Sequence, residues 1–337
     1  ANASFPLLPA RRNLGETGSR SNGRDAAVPA TSLSDIWTQY IPFEDLPLVR
    51  NPQGGYVHNE NNSPHFANVR EPIVLANKHP NMERPALSLR SQLALELIDT
   101  DTKLSLEDVV RLKFSYRMLL ADRTKPDLIR AVEATQPTGE VAAALDLLRR
   151  WDNTTAPDRR GAVLFAVWWE RYAPAGDRMQ PFASPWTEAD PLKTPRGLAD
   201  PARAAAAFTE AVAETARRHG RWDAAWGDVY RLRRGEVDVP IGGGPGQLGH
   251  FRVLNFAREP DGKYAANGGD GWVLAVEFGD EPRAYSVLAY GESAKPDSPW
   301  HAGQAAMFAR GEVKPVWFNA SDVDRHAVTR YHPGAAK

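Results

Sequence analysis

Proline placement is the strongest constraint on what this chain can fold into. Pro42, Pro47, Pro52 and Pro64 interrupt residues 36–70 and block long helices there. Each removes a backbone N–H and crowds the preceding turn. Residues 1–35 are polar and turn-rich, running through Ala10-Arg11-Arg12-Asn13 and then Gly15 to Gly23. The first part of the chain is therefore expected to be irregular, with short strands at Leu46–Val49 and Gly55–Asn59. The whole chain holds 26 glycines and 27 prolines in 337 residues, so long connections continue beyond this arm. It begins at Ala1 without a basic and then apolar leader, and reads as a processed product or a fragment.

Past residue 100 the pattern changes. Ser105 is a helix N-cap before Leu106-Glu107-Asp108, and Val109, Leu112, Ser115/Tyr116 and Leu119 continue at helical spacing. Pro126–Thr135 and Gly139–Trp151 are two further helices, and Gly161–Tyr172 is strongly apolar and expected to be buried. A Pro-rich loop runs from Pro174 to Pro201. Asp200-Pro201 then starts a helix that Gly220 ends. The last third is β: Phe251–Phe256, Trp272–Phe278 and Arg283–Tyr290, with Gly279-Asp280-Glu281-Pro282 connecting the last two as a hairpin. Trp272, Leu274, Val276 and Phe278 share one face, and Val273 and Ala275 make the other face apolar too. That pattern predicts a strand covered on both sides. The expected organisation is an arm over 1–100, a helical region over 101–235 and returning strands over 236–337.

Composition excludes several functions. A net charge of −1 argues against nucleic-acid binding, and no apolar run approaches the ~18 residues of a membrane span. With no cysteine there are no disulfides, thiolate metal sites or cysteine nucleophiles in this chain. Gly242-Gly243-Gly244-Pro245-Gly246 lacks the Lys-Ser/Thr of a phosphate-binding loop and precedes a strand, so it reads as a mobile or close-packed loop. His58, His65 and His79 show no helical metal-ligand spacing and are expected to be loop histidines. No serine carries a nucleophile signature. Trp168-Trp169 and the helically spaced Trp222 and Trp226 read as packing residues. The densest polar cluster is Asn59-Glu60-Asn61-Asn62-Ser63-Pro64. It is a turn by composition, or a rigid loop from which an Asn carboxamide donates to a developing oxyanion.

Several segments in order carry a family resemblance. They are Trp37–Pro47, Asn51–Pro64, Trp226–Arg231 with Gly242–Gly246, and Tyr290-Gly291-Glu292-Ser293 followed by Lys314-Pro315-Val316-Trp317. Together they resemble the penicillin acylase family, which includes penicillin amidases, cephalosporin acylases and acyl-homoserine-lactone acylases. The resemblance implies an α+β fold: a portion of the four-layer αββα N-terminal-nucleophile hydrolase architecture, with a helical insertion at roughly 100–235. It implies an amide hydrolase whose precursor cuts itself into two chains. The serine that begins the β chain attacks the substrate amide, and its own α-amino group acts as base.

By the same resemblance Asn61 is the side-chain oxyanion donor, and Arg84, in Met82-Glu83-Arg84, organises the site. The nucleophile lies too far upstream of the Asn motif to be in this chain, and Ala1 has no hydroxyl. The chain is then the C-terminal part of a β chain, inactive by itself. Its partners are the remainder of that chain, the α chain of the same precursor and a small acyl-amide substrate, with neither nucleic acid nor membrane. N-acyl-homoserine lactones lead penicillins as substrates, and the location is periplasmic or secreted. No cofactor is assigned: some members hold a structural calcium, and Glu71 is only an approximate match to one of its carboxylates. The competing reading is a binding or structural scaffold that has lost the nucleophile segment.

Overall fold

A computed structural model describes residues 33, 48–74, 85–177, 179–332 and 334. The chain divides into two compact units, 1–101 with 186–193, and 102–185 with 194–337. The expected boundary at 235/236 falls in the turn of a β-hairpin inside the second unit.

In the first unit, residues 48–63 are irregular, a single 3₁₀ turn follows at Pro64–Phe66, and one helix, α1, spans Leu89–Ile98. The strand expected at 55–59 does not form. Its backbone bonds are a turn at Gly55, whose N–H donates to Pro52 O at 3.1 Å, and the His58 N–H on Ala67 O at 3.0 Å, which is too little for a strand. Helix α1 was not anticipated. Its N-cap is Ser88, whose hydroxyl accepts from the Ser91 N–H, and it buries Leu89, Leu93, Ala94 and Leu95 together with Ser91 and Gln92. Phe66, Leu87 and Leu95 form a small core, with Tyr56, Val69, Trp186 and Leu192 packed around it.

The second unit opens with α2 at Leu106–Lys113. Ser105 caps it in a full capping box with Asp108. The helical pattern predicted through Leu119 breaks at Phe114. There Tyr116 O and Met118 N bond the backbone of Thr155 and Asn153, so the chain runs as a bridge instead of a turn of helix. Helix α3, Leu119–Glu133, starts seven residues before the predicted Pro126 and carries that proline inside it. Helix α4 spans Gly139–Arg150, α5 Ala162–Tyr172 and α6 Pro201–His219.

Helix α6 follows its local signals throughout. Asp200 accepts from the Arg203 N–H at 2.9 Å, Pro201 opens the first turn, and Gly220 ends the helix in a left-handed conformation (φ 77°). Its small residues Ala204, Ala207 and Ala211 are buried, and the Trp168 indole of α5 donates to Ala204 O at 3.0 Å. Ion pairs tie the outer edges of α5 and α6: Arg171 to Glu210 and Glu214, and Arg218 to Glu170.

Helix α7 (Trp226–Val229) leads into the strands. Trp226 is fully buried and stacks on Tyr230, while Trp222 lies in a turn before the helix rather than on it. One sheet holds β1 (Tyr230–Arg234), β2 (Val237–Pro240), β3 (Leu254–Arg258) and β4 (Tyr264–Gly269) in the order β2-β1-β4-β3. Its β1–β4 pair is parallel, and a bulge sits at Asn255/Phe256. The other holds β5 (Trp272–Glu277), β6 (Arg283–Leu288) and β7 (Lys314–Pro315), all antiparallel. Short helices α8 (Ala305–Arg310) and α9 (Ala320–His326) complete the unit. Leu232, Leu254, Ala266, Val273 and Val287 from both sheets meet Ala305, Phe308 and Ala309 of α8 in one core.

Two expectations meet the structure here. Val273 and Ala275 on β5 are buried, but Trp272, Leu274, Val276 and Phe278 are exposed, Phe278 to 89%. Among the described residues nothing covers that face, so the strand is buried on one side only. The glycine run is close-packed. A Cβ on Gly242 would stand 2.5 Å from the Tyr116 ring, and one on Gly244 would stand 2.6 Å from the His250 ring.

Burial holds the His250 imidazole far below its usual range, at about 3. The folded protein keeps this ring neutral while the unfolded chain protonates it below about 6.5, so stability contributed by His250 is lost as pH falls from 6.5 towards 3. Urea midpoints measured from pH 7 to 4 should therefore fall less steeply for His250→Gln than for the unaltered protein. Identical slopes would remove His250 from the acid response.

Candidate functional site

The polar cluster is held from below by one side chain. Asn68 is fully buried, and its Nδ2 donates to Gln53 O at 2.8 Å and Tyr56 O at 2.9 Å. Its Oδ1 accepts the N–H groups of Arg70 at 2.8 Å and Glu71 at 3.1 Å. A buried carboxamide with both ends engaged staples two non-adjacent stretches of loop without any sheet. The Tyr56 hydroxyl accepts from Val69 N, and burial pushes this phenol up to about 12. Arg70 anchors the outer end, pairing with Asp99 at 2.6 Å and Asp101 at 3.0 Å beyond the C-terminus of α1.

On this base the Asn-Glu-Asn-Asn turn closes through its own side chains. Asn59 Oδ1 accepts the Asn61 N–H at 2.9 Å, and Asn62 Oδ1 accepts the Glu60 N–H at 2.8 Å. Asn62 Nδ2 donates to Ser63 O. Asn59 and Asn62 are thus spent on the turn, as short polar side chains commonly are.

Asn61 differs. Its backbone is left-handed (φ 62°), which Asn tolerates better than most residues, and its side chain is exposed. Arg90 Nη1, from the first turn of α1, donates to Asn61 Oδ1 at 3.1 Å. A guanidinium can only donate, so the carboxamide orientation follows: the oxygen faces Arg90 and the NH2 faces away. That NH2 makes no hydrogen bond among the described residues. The arrangement presents a neutral N–H donor whose orientation a cation sets from behind.

The other sequence candidates fall as follows. Arg84 and His79 lie outside the described residues. Arg90 was missed by the sequence reading; only a helix start after Ser88 could have pointed to it. His65 is a buried loop histidine whose Nδ1 lies 3.2 Å from Ser63 Oγ. Glu71 is exposed and gives Oε2 to the Gln53 N–H, and the nearby Asn68 oxygen is filled by two N–H groups. Calcium takes six or more oxygens, and no cluster of three or more His, Asp or Glu exists among the described residues. The residues around Glu71 do not fit a calcium site. Nor is any helix among the described residues long and apolar enough to cross a membrane.

Comparison with known proteins decides the family. The family model for penicillin amidase matches residues 2–325. The chain belongs to the penicillin amidase family. It is 30% identical over 329 residues to aculeacin-A acylase of Actinoplanes utahensis, covering 90% of this chain and 40% of that protein. It is 28% identical over 281 residues to acyl-homoserine lactone acylase PvdQ of Pseudomonas fluorescens (strain Pf0-1), covering 80% of this chain and 35% of that one. The chain therefore spans well under half the length of these relatives. Among solved structures, thermostable penicillin G acylase from Alcaligenes faecalis matches with a TM-score of 0.50 at 17% identity, over 94% of this chain and 63% of that one. The fold is accordingly α+β and a portion of the N-terminal-nucleophile hydrolase architecture.

Asn68→Ala should open the loop locally. With its four hydrogen bonds gone, exchange of the Arg70 and Glu71 amides should speed up by about tenfold or more, equivalent to ~1.4 kcal/mol or more of local stability. Unchanged protection at both amides would show that the loop is held by something else.

Proposed function

We propose that this chain is the part of an N-terminal-nucleophile acylase that supplies the side-chain half of its oxyanion hole. One observation carries the reading: Asn61, on a left-handed turn, has its oxygen held by Arg90 and its NH2 directed outward. When a nucleophile adds to an amide carbonyl, negative charge gathers on the oxygen. A donor already oriented towards that position lowers the barrier without having to reorganise during the step. The same donor serves twice, in formation of the acyl-enzyme and in its hydrolysis by water. Arg90 acts through Asn61 as a positioning residue, and its charge polarises the carboxamide so that the NH2 donates more strongly.

The nucleophile in this proposal is a serine at the N-terminus of the catalytic chain, outside residues 1–337, with its own α-amino group as base. Its partners are then the remainder of the β chain and the α chain of the same precursor. Two observations support this. The chain covers 35–40% of the two relatives described above, and β5 presents an apolar row that the described residues leave uncovered. The proposed substrates are N-acylated amines, with N-acyl-homoserine lactones ahead of penicillins because PvdQ carries that activity in its name. A periplasmic or secreted location belongs to the same proposal, and no cofactor is part of the chemistry.

Two experiments test this. In the assembled protein Asn61→Ala should lower kcat by about two to three decades with little change in KM. Near-normal kcat would return Asn61 to the role of a turn residue. Residues 1–337 purified alone should release no amine from an acyl-homoserine lactone or a penicillin. Hydrolysis by that chain would place a nucleophile within it.

A further inference from the structure

His58 and Glu60 form a buried pair that the proposed chemistry does not use. Their side chains are only 4% and 7% exposed. His58 Nδ1 lies 2.6 Å from Glu60 Oε2, and His58 Nε2 lies 2.6 Å from the carbonyl oxygen of Phe66. Neither a carbonyl nor a carboxylate donates, so a ring bonded to both at once carries a proton on each nitrogen. A neutral ring would meet both acceptors only if the proton sat on Glu60 instead, its O–H donating to Nδ1. The charges of an imidazolium and a carboxylate at this distance compensate each other in a site where an isolated charge would be expensive.

The position of this pair gives it a consequence. Glu60 is the residue before Asn61, and Phe66 is in the 3₁₀ turn where the loop returns. His58 therefore ties the residue before the outward carboxamide to the far side of the loop, across a segment that has no sheet or helix to hold it. The backbone repeats the connection, with His58 N–H on Ala67 O at 3.0 Å. Asn61 pays for its left-handed backbone with conformational strain, and strain persists only where surrounding bonds fix it. Arg90 aims the Asn61 side chain from α1, while the bonds through Glu60 and Asn59 fix the backbone from which it projects.

We propose that His58, as an imidazolium between Glu60 and Phe66 O, is a positioning residue that clamps the loop and so holds Asn61 ready to receive the oxyanion. This rests on the oxyanion reading of Asn61 and adds the device that makes the donor rigid. The clamp predicts a loss in kcat rather than in KM, because a donor held loosely binds substrate as before but meets the transition state in fewer of its conformations.

The test uses the assembled protein. Neutron diffraction at pH 7 should show deuterium on both ring nitrogens of His58. Deuterium on one nitrogen only would overturn the clamp without any mutation. Glu60→Gln keeps the shape of the pair and removes its charge, and His58→Gln keeps a donor but not two opposed ones. Each should lower kcat by about tenfold or more with KM within about twofold. Combined with Asn61→Ala, neither should cost anything further, since both act through Asn61. If Asn61→Ala is slow while the Glu60 and His58 variants match the unaltered rate, the clamp fails and the oxyanion reading stands. If Asn61→Ala itself is unimpaired, the oxyanion reading fails and takes the clamp's role with it.

Discussion

A buried arginine organises the strand-bearing unit. Arg252 is fully buried, and no carboxylate among the described residues bonds it. Its guanidinium donates to Phe308 O at 2.5 Å, at the end of α8, and to the Tyr116 hydroxyl at 3.2 Å. The rings of Phe114, Phe308 and Tyr116 surround it at 4.9, 5.0 and 5.5 Å from their centroids. Burial pulls its pKa down, but an arginine has so far to fall that it stays charged. The compensation comes from π faces and from the negative end of a helix. This one contact collects the end of α2, the bridge after it, α8 and the approach to β3. It also dictates the glycine run. A Cβ on Gly243 would stand 2.8 Å from the Arg252 carbonyl and 3.0 Å from its Cγ, and Gly243 has a φ of 101°. A segment that looks like a phosphate cradle is thus shaped by the side chains packed against it.

The elements that were legible in the sequence are those whose signals are local. Helix α6 declares both ends through Asp200-Pro201 and Gly220, α2 declares its start through Ser105 and Asp108, and the β5–β6 hairpin is bounded by Gly279 and Pro282. The elements that were not legible depend on what lies across from them. Helix α1 buries Ser91 and Gln92 beside its leucines, so it has no polar face to reveal a helical period. Strand β1 reads Tyr-Arg-Leu-Arg-Arg, and its arginines look like a surface helix until Arg231 and Arg233 meet Asp238 and Asp261 across the sheet. The bridge at 114–118 keeps a helical apolar spacing because Met118 is buried and Phe114 and Tyr116 pack on Arg252 for reasons unrelated to a helix. Only the pairing with Asn153 and Thr155 decides its conformation.

The site divides in the same way. Asn61 stood out in the sequence because a cluster of Asn residues before Ser-Pro is conspicuous and matches a family motif. What separates Asn61 from Asn59 and Asn62 is not visible there: all three are carboxamides within four positions. The distinction arises because two of them close the turn and the third meets Arg90. That arginine comes from a helix the sequence did not announce, so spacing along the chain could not select it. The Asn68 staple and the His58–Glu60 pair were hidden for the same reason, each being an ordinary polar residue until the loop folds around it.

The exposed face of β5 shows what a hydrophobic pattern does and does not encode. Apolar residues on both faces of a strand lead one to expect that both faces are covered. They do not record which residues cover them. Here Val273 joins the core shared with α8 and Ala275 is buried on the same face, while Trp272, Leu274 and Val276 look outward from the edge strand of their sheet. An edge strand exposing a continuous apolar row is normally blunted by charge, proline or a bulge, because it invites association. This one carries none of these within Trp272–Val276, and its six residues pair in unbroken register with β6 on the other side. A surface left so sticky is a cost to a body that stands alone and an asset to one that docks. The same reasoning applies to the outward NH2 of Asn61. Among the described residues that NH2 meets no acceptor, while the carboxamide oxygen is held by Arg90. The oxyanion proposed above is the group that such a donor would receive.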